Sequence, residues 1–422
     1  MSKNLRNYIK EISSLDQLTV YNDNDRSFDD MVNMVDKLCN GVNEPNAVLF
    51  NGNSGFSFIF NTLGSTSRIK NAFEIDSFKE IIEIITTTVN SFTKSKSSII
   101  DRLNLIKSAN RINNSSTILK RRDSQCQEII KYKIDLEKIS FLKYHKDNNL
   151  IIKALVNSTG DHKKTVNCEM LPLKVLSKDS FAIISDNNNQ CSNNLLNSSQ
   201  YRIPIAVTFG GNPIYTALSM SYIPENIGIY SLSGFLLNKK VGVTNALTQN
   251  ISIASDYDLV LEGYIQKSDE MYRDPESGNQ YPIIHISCIT SKKEGIIMVN
   301  SPKSEIIEQK YVNMVAEKFL LFSLKNLHNI NLIDLHLFEE ENYKYAIFKL
   351  PTSRSEDIER ISKRVYYSGY LSDYQIFIFT TEDVTIRNRR DIVNLLDKIE
   401  KDNIYEFRES ENRAITIYNA TK

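Results

Sequence analysis

A chain of 422 residues, 41% apolar and 24% charged, has the length for two or three domains and the composition of an ordinary soluble globular protein. Fifty-one basic residues balance fifty-one acidic ones. The chain therefore lacks the broad basic excess of a nucleic-acid binder, and the short run Lys120-Arg121-Arg122 does not supply it. No apolar run approaches the roughly 20 residues needed to span a bilayer, and the polar start is unlike a secretory leader, so a cytoplasmic protein is expected. Five cysteines, with no Cys-x-x-Cys pair, point to isolated buried thiols over a disulfide framework or a zinc site. The five histidines show no His-x-His or His-Glu-x-x-His spacing.

In chain order, Leu5 to Ile12 has helical apolar spacing, and Leu18 to Tyr21 reads as a short strand. Asp29 to Leu38 reads as an amphipathic helix with Met31, Met34, Val35 and Leu38 on one face. Ala47 to Asn51 is a strand. Phe56 to Phe60 is another, followed by a turn at Gly64 and the start of a helix. Asp76 to Leu105 is helical, and the polar stretch Lys107 to Asp123 reads as a linker or exposed loop. From about Ser124 to Val299 short strands dominate, which implies a barrel or sandwich. Within them, the Asn-rich stretch Ser185 to Gln200 reads as a surface loop. A long helix from Ser304 to Leu327 leads into strands alternating with helices at Glu356 to Tyr366 and Arg387 to Lys398, an α/β pattern.

The segment Arg202 to Gln266 is the most informative. An apolar strand runs into Gly210-Gly211-Asn212-Pro213, then a small-residue run, a Pro-containing bend and the helix start Ile229-Tyr230. A second strand ends in Leu261-Glu262-Gly263. Together with Asn61-Thr62-Leu63-Gly64-Ser65-Thr66-Ser67-Arg68 near the N-terminus, Ile134-Asp135-Leu136, Thr380 to Val384 and the final Tyr418 to Lys422, this order resembles the UbiD-type carboxy-lyases. The resemblance spans Leu5 to Thr421. It implies an α+β fold: a small N-terminal α/β domain over 1–123, a central split β-barrel of flavin-reductase type over 124–300, then a linking helix and C-terminal α/β domain over 301–422. It also implies a homodimer or higher homo-oligomer.

By the same resemblance the reaction is reversible, non-oxidative decarboxylation of an aromatic or α,β-unsaturated acid with prenylated FMN, a divalent metal (Mn or Mg) and potassium. Asn167 is then a metal and cofactor ligand, Ser219 and Ser221 lie along the flavin, Arg413 is aimed at the flavin phosphate, and Glu276 returns the proton. Glu262 reads instead as a structural strand-end carboxylate that binds backbone or a neighbouring cation. Several positions depart from the family pattern. Pro172 stands where the family has its catalytic arginine, with Lys174 the nearest cation on that strand face. Phe181-Ala182-Ile183 replaces the histidine region, and Ile229 replaces a metal-binding glutamate. Hard cations want carboxylate oxygens. The acid loop from Glu270 to Gly278 is shortened. A second reading follows: a catalytically inactive homologue, with no cofactor, acting as a ligand-binding or partner subunit.

Overall fold

The computed structural model describes residues 4–421 apart from 23–25, 53–54, 94–98, 121–123, 160–165, 185–199, 222, 224–226, 268–270, 341–342, 352–357, 368–370, 372–373, 382–383, 385–388, 400–402 and 411–412. The chain divides into two compact units. One comprises residues 1–77, 83–220 and 225–311; the other comprises 78–82, 221–224 and 312–422. Glu270, Glu382, Asp383 and nearly all of the Asn-rich stretch lie outside the described residues.

The first unit opens with helix α1 (Leu5–Ser14), capped by the Asn4 side chain and buried through Leu5, Tyr8, Ile9 and Ile12, the stripe its spacing predicts. Strands β1 (Leu18–Tyr21), β2 (Ala47–Phe50) and β3 (Ser57–Phe60) follow, with helix α2 (Phe28–Cys39) between the first two. Helix α2 buries Phe28, Met31, Val32, Val35 and Cys39, whereas Leu38 faces solvent. The buried face is rotated from the expected one because Phe28 packs into an aromatic cluster with Phe58, Phe60, Phe141 and Tyr144.

Helices α3 (Thr66–Phe73), α4 (Lys79–Thr93) and α5 (Ile99–Ser115) come next. The residues Lys107 to Ser115, expected as loop, continue α5. Its Arg111 guanidinium donates to the carbonyls of Phe235 at 3.0 Å and Leu236 at 2.8 Å, and this tertiary anchor outweighs the polar local composition.

Beyond the short strands β4 (Ile118–Leu119) and β5 (Ile129–Lys131) and helix α6 (Ser140–Asp147), the barrel is built from β6 (Ile151–Ser158), β7 (Asn167–Val175), β8 (Ser180–Ile183) and β9 (Arg202–Phe209). Helices α7 (Pro213–Ser219) and α8 (Ile229–Leu237) and strands β10 (Gly242–Asn245) and β11 (Ser252–Ala254) precede β12 (Leu259–Gln266). The hairpin β13 (Tyr272–Arg273) and β14 (Gln280–Tyr281) precedes β15 (Ile283–Ser291). The order β12-β9-β6-β7-β8-β15, with β15 pairing back onto β12, closes a six-stranded antiparallel barrel. Alternate residues fill it: Ile152, Ala154 and Val156; Leu171, Leu173 and Val175; Ile205 and Val207; Leu259 and Leu261.

Strand β16 (Ile296–Val299) leaves the barrel and pairs in parallel with β3, completing the N-terminal sheet in the order β1-β2-β3-β16. One continuous apolar core joins this sheet to the barrel through Phe28, Phe141 and Phe209.

Helix α9 (Pro302–Asn326) runs on into the second unit. That unit holds the sheet β17 (Asp334–Glu340), β18 (Tyr343–Leu350), β19 (Ile376–Thr381), β20 (Ile404–Ser410) and β21 (Arg413–Ala420), in the order β17-β18-β19-β21-β20. The central pairings β18–β19 and β19–β21 are parallel and the outer ones antiparallel. Helices α10 (Ile358–Tyr367) and α11 (Arg389–Leu396) complete the α/β pattern, although the terminal β20–β21 hairpin was not legible as strands. Leu320, Leu324, Phe348, Val365, Phe377 and Phe379 form its core. Among the described residues, no helix is long and apolar enough to cross a membrane.

Candidate functional site

The turn after β9 is held from below. Gly210 and Gly211 both have φ of 76°, and a Cβ on Gly210 would lie 2.4 Å from Asp258 Oδ2. Asp258 accepts from Gly211 N at 3.0 Å and from Ile296 N at 3.2 Å, and it lies 3.2 Å from Lys292 Nζ. Asn212 then caps α7, with Pro213 in its first turn. Lys292 also donates to the Asp256 carbonyl at 2.7 Å. The Asp256 residue is partly exposed, but its Oδ2 is enclosed and without a partner, and burial pushes this carboxyl up to about 6 against the opposing pull of Lys292.

On the outer face of β6, β7 and β9, Asn157 donates to the Ala206 carbonyl and Thr208 Oγ1, both at 3.1 Å, and accepts from the Tyr230 hydroxyl at 2.6 Å. The rings of Tyr215, Tyr230 and Tyr257 pack edge to face around it. Cys168 is buried beside them, its thiol pushed up by burial to about 12, so it is inert as a nucleophile at neutral pH. The other three described cysteines are likewise buried and free.

The sequence-derived site residues are distributed unevenly. Asn167 opens β7, is buried, and has its Nδ2 without a hydrogen-bond partner. The adjacent Val166 carbonyl lies 3.7 Å from where a Cβ on Gly228 would stand, so Asn167 is brought to the start of α8, where Ile229 is buried. Ser219 ends α7, its hydroxyl donating to the Thr216 carbonyl at 2.8 Å. Ser221 belongs to the second unit, and so does Arg413, whose side chain lies outside the described residues. Glu276 sits exposed at the tip of the β13–β14 hairpin, in a turn fastened by Asp274 accepting from Ser277 N and Oγ. Lys174 reaches this hairpin, 4.0 Å from Asp274 Oδ1 and 5.2 Å from the Tyr272 ring centre. Glu262 is fully buried and accepts from Leu247 N, Thr248 N and Thr248 Oγ1 at 2.7–2.9 Å, so of the two partners expected, backbone or a cation, it takes the backbone.

A recess of about 80 Å³ lies against the outer face of the barrel. Leu155, Met170, Phe209, Met220 and Met298 give it apolar walls. Its polar end holds Thr62, His145, Lys153, Asn300, Glu305 and Glu308. Lys153 is the cross-strand partner of Pro172 and pairs with Glu305 at 2.5 Å. Glu308 accepts from Leu63 N at 2.8 Å and from Asn300 Nδ2 at 2.9 Å, and burial holds its carboxyl above the usual range. Burial lowers His145, whose Nδ1 lies 2.7 Å from the Phe141 carbonyl. The Thr62 hydroxyl is buried without a partner. The sequence reading missed this cluster. The available signals were the lone Lys153 in an apolar strand and the Glu305/Glu308 pair three apart on one helix.

The residues present do not fit a metal-bound flavin phosphate. Position 229 is a buried isoleucine, Phe181 and Ile183 are core side chains of the barrel, and among the described residues no cluster of three His, Cys, Asp or Glu side chains stands together.

Residues 117–304 match the family described as UbiD, 3-octaprenyl-4-hydroxybenzoate carboxy-lyase Rift-related domain. The fold is similar to that of vanillic acid decarboxylase from Sedimentibacter hydroxybenzoicus in its closed form, with a TM-score of 0.76, 16% identity and coverage of 100% of this chain and 92% of that one. It is also similar to an evolved dimeric form of the UbiD-class enzyme HmfF from Pelotomaculum thermopropionicum in complex with prFMN, at 0.72 and 11% identity, covering 99% and 95%. An uncharacterized protein of Aquifex aeolicus is 20% identical over 355 residues, 79% of this chain and 71% of its own length. One of Helicobacter pylori is 25% identical over 256 residues, 58% of this chain, which spans 41% of that relative's length.

Proposed function

Since the chain is a member of the UbiD family, carrying its Rift-related domain at residues 117–304, we propose that it uses the scaffold of these carboxy-lyases as a small-ligand-binding homologue, without decarboxylation through prenylated FMN. The single observation that carries this reading is the identity of the side chains beside Asn167. The position that should supply a metal-binding carboxylate is the buried Ile229 at the start of α8. Pro172 and the core residues Phe181 and Ile183 support it, because none can neutralise a carboxylate or ligate a cation. The ligand would occupy the recess, its body against the methionines and its polar end toward Lys153, Thr62 and Glu308.

A second reading keeps the family reaction on an aromatic or unsaturated acid. HmfF has been seen with prFMN, and here Asn167 retains a buried amide nitrogen without a partner. In that case Asn167 would hold the flavin phosphate and its metal, and Glu276 would return the proton. Prenylated FMN would supply the electron sink. A homo-oligomer in the cytoplasm belongs to both readings.

The deciding experiment is co-expression with a flavin prenyltransferase, followed by the visible absorbance of the purified protein with and without manganese. The expected result is a protein free of flavin absorbance. Stoichiometric flavin that bleaches on Asn167→Ala would overturn the first reading in favour of the second.

A further inference from the structure

Among the described residues that line the recess, Lys153 is the one cation, and Glu305 and Glu308 are the two carboxylates. Lys153 Nζ is already engaged by Glu305 at 2.5 Å. Glu308 is 4% exposed and accepts from Leu63 N and Asn300 Nδ2, neutral donors that bond its oxygens without cancelling its charge. Arg68 also acts on Glu308, but its guanidinium turns to Gln17 Oε1 at 3.0 Å and the Pro45 carbonyl at 2.7 Å, and it does not line the recess. His145 adds no positive charge at neutral pH, because burial lowers it. Its Nδ1 carries the ring proton, since the Phe141 carbonyl can only accept, and Nε2 is left an acceptor. One residue before the amide that Glu308 holds, Thr62 is 3% exposed, lines the recess and has a hydroxyl without a partner.

The polar end thus offers acceptors and an excess of negative charge. Taking the recess as the ligand site of this homologue, we propose that it selects a small primary alkylammonium ion over the corresponding carboxylate or alcohol. An ammonium brings three donors and no acceptor, and its single charge brings the lining to neutrality. It would bond the Thr62 hydroxyl, which is costly to leave buried and unmade, and meet Glu308 beside it. A carboxylate would instead set a third negative charge against one lysine that is already paired. An alcohol would leave the excess charge in place. The alkyl body lies against Met170, Met220 and Met298, whose unbranched side chains adapt to its shape.

The experiment is NMR of the full chain carrying labelled methionine methyl groups, titrated at pH 7.5 with butylammonium, butanol and butyrate. The three compounds share a body and differ in the head. The resonances of Met170, Met220 and Met298, assigned by single Met→Leu changes, report on the recess. They should shift with butylammonium at concentrations roughly tenfold below those the other two require. Lys153→Met removes the competing cation and should tighten butylammonium roughly fivefold. Glu305→Gln should weaken it by a similar factor and bring butyrate closer to it. Both side chains are about two-fifths exposed, so both variants should keep the wild-type methyl spectrum before ligand is added. Butyrate or butanol binding ahead of butylammonium, or Lys153→Met weakening butylammonium, would overturn the charge selection while leaving the recess a ligand site. No response of the three methyls to any of the compounds would overturn the small-ligand reading along with it.

Discussion

Replacing Asp256 with asparagine should stabilise this protein at neutral pH, contrary to the usual outcome for a buried substitution. Burial lifts the Asp256 carboxyl from 3.8 to about 6; Lys292 opposes the rise and Asp258 adds to it. The folded chain therefore holds a proton between those values that the unfolded chain has released. Stability is fully present below 3.8 and is lost as pH rises through about 6. The whole interval is worth about 3 kcal/mol, at roughly 1.36 kcal/mol per pH unit, and about 2 kcal/mol of it falls between pH 4.5 and 7.5. Asparagine removes the titration and can still accept from the Tyr215 hydroxyl, which lies 3.3 Å from Oδ1. The new amide hydrogens face the enclosed spot where Oδ2 has no partner, at a cost of about 1 kcal/mol. Calorimetric unfolding of both proteins at the two pH values should show the variant gaining about 2 kcal/mol relative to wild type on going from pH 4.5 to 7.5. A difference that is the same at both pH values would refute the reasoning, because it would mean that Asp256 is already ionised at no cost.

The same structure yields sharper losses elsewhere. Gly210→Ala combines a left-handed φ with a Cβ 2.4 Å from Asp258 Oδ2, and should cost more than about 2 kcal/mol in urea unfolding. Glu262→Ala leaves two part-buried backbone donors and a hydroxyl without their acceptor, for a loss of about 1–3 kcal/mol; Glu262→Gln should fall well short of it. Lys153→Ala removes a half-exposed ion pair and should change stability by less than about 1 kcal/mol, whereas Glu308→Ala, at the buried end of the same recess, should cost about 2–4 kcal/mol in the same assay.

The fold was largely legible because its signals are local. The glycines at 210 and 211, the caps at Asn4 and Asn212, and the two-residue alternation of β6, β7 and β9 each fix backbone within a few residues. Helix α5 beyond Leu105 was missed because it is anchored by Arg111 on carbonyls 124 and 125 residues further along the chain, a contact that no local pattern encodes. The recess was missed for the same reason. Thr62, Lys153 and Glu308 come from three distant segments, and each alone reads as an ordinary surface or turn residue. Glu262 was readable because a carboxylate within an apolar strand must find donors nearby. Ile229 and Pro172 were legible as departures only against a family pattern; by themselves they are unremarkable core and strand residues.

Strand β16 carries a consequence for biosynthesis. Its pairing with β3 joins residues 296–299 to 57–60, so the edge of the N-terminal sheet stays open until the barrel that lies between them in sequence has been made. A nascent chain emerging from the ribosome would hold β3 with a bare hydrogen-bonding edge over most of that synthesis, a state prone to mispairing. Release of the N-terminal layer as a fragment would expose the same edge. The first 311 residues should therefore fold in one late cooperative step, with the last strand to arrive acting as the latch.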